Sequence, residues 1–355
     1  MKLLELRKEL FLWWMLVFVP VSFIFGAMGN ELMAFITSLL AIVPLAQMVG
    51  LATREIAIQT NPSISGLVSA TFGNLIELII AIMALRSGLV RVVQASIVGS
   101  IIGNILLLVG LSIFFGGLRF KHQHFNKEAI GVSSTMLLIV LVGMTIPSVY
   151  AFVYPNGPHL EILSDLVAGI LALIYIAGLV FSLKTHKDMF DASDEIRAYC
   201  ERPILSKRAA SIILLVATVF AAFEAELLVK GIEKAALSIG ISYTFIGVVL
   251  IAIITNIAEK SAAVSMARKN KLNVSIEIGL SSAIQIALFV VPILMFLSQV
   301  LGYGFTLTFS VFEVMAIMLA VLIVNDLAAD GRCNWLEGAQ LIAVYLILAA
   351  AFFFI

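Results

Sequence analysis

Long apolar stretches separated by short polar ones run the length of the chain, and they lack the two-residue alternation of half-buried strands. Eleven of them approach or exceed the ~17–25 residues that a helix needs to cross a bilayer. They cover approximately 10–28, 31–51, 64–85, 90–116, 128–152, 160–183, 207–229, 241–267, 273–298, 305–325 and 334–355. The alternating strands of a membrane β-barrel are absent. The fourth and eighth runs, rich in Gly or small polar residues, are expected to be irregular inside. The first follows "MKLLELRKEL" without a small-x-small cleavage site, and reads as a retained helix rather than a removable signal peptide.

Composition agrees. Hydrophobic residues make up 62% of the chain and charged residues 12%, with a mean hydropathy of +1.12, whereas soluble domains carry about 25% charge. This is the composition of an integral membrane protein whose main partner is the lipid bilayer. Twenty-two basic residues against twenty-two acidic ones leave no net charge, which removes the basic surface that nucleic-acid binding requires.

With the N-terminus in the cytoplasm, Lys and Arg in the loops divide 17 inside to 4 outside, with Lys260 inside a helix. That is the bias of the positive-inside rule, and an odd number of spans then leaves the C-terminus outside. Cys200 and Cys333, the only cysteines, fall in cytoplasmic loops, where thiols stay reduced and no disulfide is expected. The histidines (His122, His124, His159, His186) lie in loops without zinc spacing.

Sliding the chain by 182 positions aligns Gly73–Asn104 with Thr255–Ile286, placing Asn74 on Asn256, Glu77 on Glu259 and Ser100 on Ser282. An Asn-x-x-Glu inside an apolar run, recurring in corresponding helices, marks an internal duplication. Ten helices remain after the first, five per half, and the odd number turns the second half upside down. Inverted repeats of this kind characterise many secondary transporters, with the ion site at the midplane between the halves.

Asn74 and Glu77 share a helix face at i, i+3, as do Asn256 and Glu259. The following helices add Ser100 and Asn104 in one half, Ser282 and Gln285 in the other. Every group is an oxygen donor or an amide, the set preferred by hard cations such as calcium; the soft or imidazole ligands of zinc and copper are missing from the spans. Gly73 and the pair Thr255 and Asn256 sit mid-helix, where unwinding would turn carbonyls toward an ion. Gly99 and Gly103 are spaced to admit a neighbouring helix. Desolvation and a second carboxylate nearby disfavour the charged form of Glu77 and Glu259. Two protons or one divalent cation would then neutralise the pair, the minimum chemistry of an antiporter, and intramembrane carboxylates default to a functional role.

Other charged groups carry weaker signals. Glu224 and Glu226 read equally as an ion vestibule or as interfacial residues. Glu277 reads as a gate or as a carboxylate placed near a helix N-terminus, where the macrodipole favours it. Glu313 and Asp326 suit packing or loop roles. Lys260 follows Glu259 but lies about 100° round the helix, so an ion pair elsewhere competes with a role in the site.

The segments "GNLIEL", "GSIIGN", "SSAIQIALFVVP" and "ADGRCNWLEGAQLIAVYLILAAAFFF" resemble the calcium/proton exchangers of the CAX type, within the cation/calcium exchanger superfamily. The resemblance covers essentially the whole chain, including the extra first helix. It implies that Glu77 and Glu259 bind protons or calcium beside Asn74, Asn256, Ser100, Asn104, Ser282 and Gln285. It also implies calcium export driven by inward proton flow, with calcium and protons as substrates and no cofactor. There are two departures: Thr255 stands where the family usually has Gly, and Lys260 where a His commonly follows the Glu. The connecting loop, often strongly acidic in the family, here mixes Asp188, Asp191, Asp194, Glu195 and Glu201 with six basic residues.

The expected architecture is an all-α membrane protein of eleven transmembrane helices forming one exchanger domain over 1–355. It comprises an extra N-terminal helix in 1–30, a first five-helix repeat in 31–183, a cytoplasmic connecting loop in 184–206 and a second, inverted repeat in 207–355. A sodium/calcium exchanger of the same superfamily is the first rival. It would need more acidic ligands, and the position matching Asn104 in the second half is Ile286, which offers none. An intramembrane hydrolase is the rival from another class, disfavoured by the absence of recognisable catalytic groups, so no enzyme activity is expected. A passive channel would share the ligands and differ only in coupling. The sequence is compatible with a homo-oligomer. Without an organelle address, the expected location is a prokaryotic plasma membrane.

Overall fold

A computed structural model describes residues 13–60, 62–155, 157–186 and 203–355. The chain forms α1 (Trp13–Ala27), α2 (Glu31–Ile58), α3 (Pro62–Phe72), α4 (Leu75–Arg86), α5 (Val90–Gly117), β1 (Gln123–His124), α6 (Lys127–Val153) and α7 (Leu160–Thr185). There follow α8 (Lys207–Ile239), α9 (Tyr243–Thr255), α10 (Ile257–Ala267), α11 (Leu272–Leu301), α12 (Val311–Asp330), β2 (Arg332–Cys333) and α13 (Trp335–Phe354). Cys200 and the acidic residues of the connecting loop lie outside the described residues.

Eleven membrane-crossing helices were expected. Among the described residues, eight helices are long and apolar enough to cross a membrane, or nine if α9 and α10, bent by 56°, count as one span. At the first run the described residues begin at Trp13 and form the short apolar α1, with a tight first turn; at the other two places the shortfall has a physical cause. The third run breaks at Gly73 and Asn74 into α3 and α4, and the eighth breaks at Asn256. The fourth and eighth runs are irregular, as expected, through wide π-type turns at Gly103–Leu108 and Ile246–Ile251. The ninth carries another at Ile286–Val290, which was not foreseen. The 182-residue offset takes 103–108 onto 285–290, so this irregularity recurs where the sequence repeats.

The tenth run also differs. Its helix starts at Val311, not near 305, because Gly302 and Gly304 adopt left-handed backbone, φ 72° and 67°. Phe305, Leu307 and Phe309 are buried in the non-helical stretch between. A buried non-helical backbone must find hydrogen-bond partners. Ser298 accepts from the Phe305 amide, Ser164 from Leu307 and Ser148 from Phe309, while Gln94 donates to the Thr306 carbonyl.

In section, α5 is the most enclosed helix, whereas α7 turns Leu166, Ile170 and Leu173 outward, each more than half exposed. Such an apolar exterior suits lipid. The longest helix contact runs between α2 and α8. Where α5 meets α9, a Cβ at Gly99 would run into the Val248 backbone, and one at Gly247 into Ala95. Gly103, paired with Gly99 in the sequence reading, has open space around it and admits no helix.

The connections gather at two ends. One holds the loops around 118–126, 267–273 and 331–334: β1 pairs antiparallel with β2, Gln123 donates to the Ala267 carbonyl, and Arg119 donates to that of Arg268. Arg91, Ser242, Ser310 and Ile355 line a common cleft elsewhere. The first group belongs to the loops that the charge bias assigns to one side, the second to those assigned to the other.

Candidate functional site

Asn74 and Asn256 each sit immediately before a helix, α4 and α10, at the break in an apolar run. Neither uses its side chain to cap that helix, so both amides are free to reach across to the other half of the chain. Three residues on, Glu77 and Glu259 fall in the first turns of α4 and α10, where the positive end of the helix dipole favours a carboxylate. The break therefore places an amide, a carboxylate and a helix N-terminus together, twice.

The polar residues of α5 and α11 close the site. Asn74 donates to the Gln285 side-chain carbonyl at 2.8 Å and accepts from the Ser282 hydroxyl at 3.1 Å. Asn104 donates to Ser282 at 2.8 Å. Asn256 donates to Ser100 at 3.4 Å, to Thr255 at 3.1 Å and to the Ala252 carbonyl at 3.1 Å. The contacts Asn74–Ser282 and Asn256–Ser100 exchange under the 182-residue offset, so each half's asparagine is held by the other half's serine. Asn74, Ser100, Asn104, Asn256 and Ser282 are at most 4% exposed.

The structure thus brings all eight predicted site residues together. Thr255 lies beside the Glu77 carboxyl and Ser282 beside that of Glu259, and the two carboxyls lie within electrostatic reach of each other. Both glutamates are half-buried. Three buried oxygens here have no hydrogen-bond partner: Asn104 Oδ1, Asn256 Oδ1 and Glu259 Oε2. Buried polar atoms are nearly always satisfied, so three orphaned acceptors among the residues of one site stand out. They fit a hard cation, which accepts several oxygens of mixed type. Among the described residues, no group of three His, Cys, Asp or Glu side chains forms a metal cluster. A cation bound here would meet the two carboxyls and neutral oxygens, not a cluster of three acidic, His or Cys side chains.

Two participants were not assigned from sequence. Thr255, read from the sequence as a mid-helix break and a departure from Gly but not as a site residue, donates its hydroxyl to the Ile251 carbonyl at 3.1 Å, accepts from Asn256 and lies beside Glu77. Lys260, left open, is 6% exposed, donates to the Ala252 carbonyl at 3.3 Å and acts electrostatically on both Glu77 and Glu259. Its counterpart in the first half is Leu78, so the site is asymmetric in charge.

The remaining acids separate clearly. Glu224 is fully buried, accepting from Ser22 of α1 at 2.7 Å, so it ties α1 to α8 and is neither vestibular nor interfacial. Glu226 is exposed and paired with Lys230 at 2.7 Å. Glu313 closes a capping box with Ser310 at the start of α12, a structural role one turn earlier in the helix than the apolar run suggested. Asp326 is exposed and four residues short of the helix end. Glu277 lies beyond the first turn of α11, out of the position where the helix dipole acts most strongly.

Apolar helices interrupted at mid-length by two interlocked Asn-x-x-Glu breaks define a membrane transporter of the cation-exchanger fold class. The chain belongs to the sodium/calcium exchanger protein family, which it matches over residues 30–184 and 209–354. It is 39% identical over 365 residues to the Ca2+/H+ antiporter of Aphanothece halophytica, covering 98% of each chain. It is likewise 39% identical over 338 residues to the Ca2+/H+ antiporter ChaA of Bacillus subtilis, covering 94% of this chain and 96% of that one. The structure is similar to that of native YfkE, with a TM-score of 0.85 at 36% identity over 98% of this chain and 100% of that one. The H+/Ca2+ exchanger CAX shares the fold, with a TM-score of 0.69 at 15% identity over 98% of this chain and 92% of that one. The protein is a multi-pass membrane transporter and not an enzyme.

Proposed function

We propose that this protein is a calcium/proton antiporter that exports calcium from the cytosol in exchange for protons. The observation that carries the reading is the set of orphaned oxygens, Asn104 Oδ1, Asn256 Oδ1 and Glu259 Oε2, beside two intramembrane carboxyls. Calcium and protons are the substrates named for the bacterial relatives. Two protons neutralise Glu77 and Glu259; one calcium ion does the same once they leave. Occupancy by one substrate therefore excludes the other, and exchange follows if the site faces one side at a time.

In this reading the chain crosses the membrane eleven times. Helix α1 spans as an extra N-terminal helix, each of the pairs α3 with α4 and α9 with α10 forms one broken span, and α2–α7 and α8–α13 are inverted repeats. The interlocked contacts Asn74–Ser282 and Asn256–Ser100 support that symmetry. The end bearing Arg119, Arg268 and Arg332 faces the cytoplasm by the positive-inside rule, which leaves the C-terminus outside. The membrane is a prokaryotic plasma membrane. Alternating access arises as the two halves rock about the fixed site.

The test is calcium uptake into proteoliposomes under an imposed acid-inside pH gradient, with and without sodium, while internal pH is recorded. Accumulation against the calcium gradient, with proton efflux and no need for sodium, is the expected result. It falls to background in Glu77→Gln and Glu259→Gln proteins that still fold. Sodium dependence would move the protein to the sodium-coupled class, and dissipation without accumulation would make it a pore.

A further inference from the structure

A cleft of about 650 Å3 lies between the second half of α5 and helix α10, within the ~300–1,000 Å3 range of ligand sites. None of the eight site residues lines it. Its wall is apolar along Leu107, Leu111 and Ile253, and its basic lining residues are Arg119, Arg268 and Lys269, all three exposed. Arg119 is brought there by its hydrogen bond to the Arg268 carbonyl at 3.2 Å. Lys260 is a fourth cation on the wall, and no carboxylate lines the cleft.

That charge is the wrong sign for a path taken by a cation. It is the right sign, with the apolar wall, for an amphipathic anion. The opening is also placed at headgroup depth: Arg119 follows the end of α5, Arg268 follows the end of α10, and Gly117 packs against Trp335, which is half exposed. Exposed Trp beside the end of an apolar helix is typical of the membrane–water interface. Basic pockets between transmembrane helices at that depth suit anionic lipid headgroups.

We infer that this cleft binds one anionic phospholipid, its phosphate held by Arg119 and Arg268 and an acyl chain lying along Leu107, Leu111 and Ile253. Lys260, whose charge acts on Glu77 and Glu259, lines the same cleft. Bound lipid would thus neutralise the face of the protein through which Lys260 is reached.

The test reads lipid retention rather than transport, so it stands or falls apart from the exchange reading. The full chain is purified in mild detergent, stripped of lipid, and given phosphatidylglycerol, phosphatidylcholine or inorganic phosphate. Native mass spectrometry should show one phosphatidylglycerol retained per chain, with a melting temperature raised by about 2–5 °C. Phosphatidylcholine should not be retained. Arg119→Gln with Arg268→Gln should lose the bound lipid, and Ser265→Glu, an exposed wall position on α10, should repel it by an independent route. Lys121→Gln with Arg332→Gln, exposed at the same end but not on the cleft, should retain it. Equal retention of phosphatidylcholine, equal loss in that control, or retention by both cleft variants would overturn the inference. So would an equal melting shift with inorganic phosphate, which would make this a small-anion site.

Discussion

Asn74 and Gln285, 211 positions apart, meet at 2.8 Å with Asn74 as donor. Ser282, one turn before Gln285, donates to the same Asn74 at 3.1 Å and accepts from Asn104 at 2.8 Å. One serine hydroxyl thus joins α5, α11 and the break before α4. On the other side of the pseudo-symmetric arrangement, Ser100 meets Asn256 at 3.4 Å. The two serines occupy equivalent places, but only Ser282 is a junction.

Ser282→Ala should therefore be the more damaging of the two alanine variants. It leaves the Asn104 amide and the Asn74 carbonyl without partners, and an unsatisfied buried polar group costs about 1–3 kcal/mol. The expected outcome is a lowered melting temperature and roughly tenfold slower calcium transport. Ser282→Thr keeps the hydroxyl and should recover much of both. Ser100→Ala, removing one long contact, should lose less. Detergent melts and proteoliposome uptake measured side by side decide it; equal behaviour of the two alanine variants would deny Ser282 its role as a junction.

The glycines on α5 make a second contrast. Gly99→Val should destroy the packing of α5 on α9, because even a Cβ there meets the Val248 backbone. Overpacking typically costs about 1–3 kcal/mol, and more where backbone must move. Gly103→Ala should be tolerated, since nothing lies within 4 Å of the added atom. Size-exclusion profiles of the two variants separate the cases: a monodisperse Gly99→Val protein melting like the parent would contradict the close approach.

How much of this was legible in the sequence differs by residue. Asn74, Glu77, Asn256 and Glu259 stood out because polar groups in apolar runs are few, and helical spacing paired them on one face. The recurrence at 182 positions located the partner helices as well. Run length, however, could not tell one long helix from two short ones meeting at Asn74, because apolar composition continues through the break. The stretch before α12 was read as helix for the same reason. Its alternation of buried Phe305, Leu307 and Phe309 with polar Thr306 and Thr308 was the available sign of extended chain, and Ser310 with Glu313 was the available cap. The helical wheel left Lys260 open between the site and an ion pair elsewhere, because a wheel drawn for one straight helix does not show that the bend before α10 lets neighbouring elements surround more than one face. The Ala252 carbonyl, which meets both Lys260 and Asn256, has no side-chain signature at all.

Cys333 provides a prediction outside the membrane. It is 2% exposed in β2, and burial, with the Glu337 carboxylate beside it, pushes its thiol up from the ordinary range. Alkylation requires the thiolate. A raised thiol has less thiolate at neutral pH, so the sign is toward low reactivity that persists as pH rises through the usual thiol range. In a Cys200→Ser background, maleimide labelling of folded protein at pH 8 should be at least about tenfold slower than after denaturation. Equal rates would mean that the β1–β2 pairing does not cover this thiol.

Lys260 is the strongest test of the electrostatics, because its charge would oppose the cation that the two glutamates are proposed to bind. At an effective dielectric near 20, a unit charge about 10 Å from a divalent ion contributes roughly 3 kcal/mol of repulsion. Relaxation and water reduce that figure, but a tenfold effect requires only about 1.4 kcal/mol. Lys260→Gln should therefore lower the calcium concentration needed for half-maximal transport by about tenfold or more. The Ala252 carbonyl keeps its second donor, Asn256 at 3.1 Å, so the break itself should survive. Lys260→Arg, which retains the charge, should leave apparent calcium affinity near that of the parent even if turnover suffers. Calcium titrations of both variants at fixed internal and external pH separate charge from shape. If Lys260→Gln leaves the half-saturating concentration unchanged while Lys260→Arg alters it, the residue acts by filling space and not by repelling the ion.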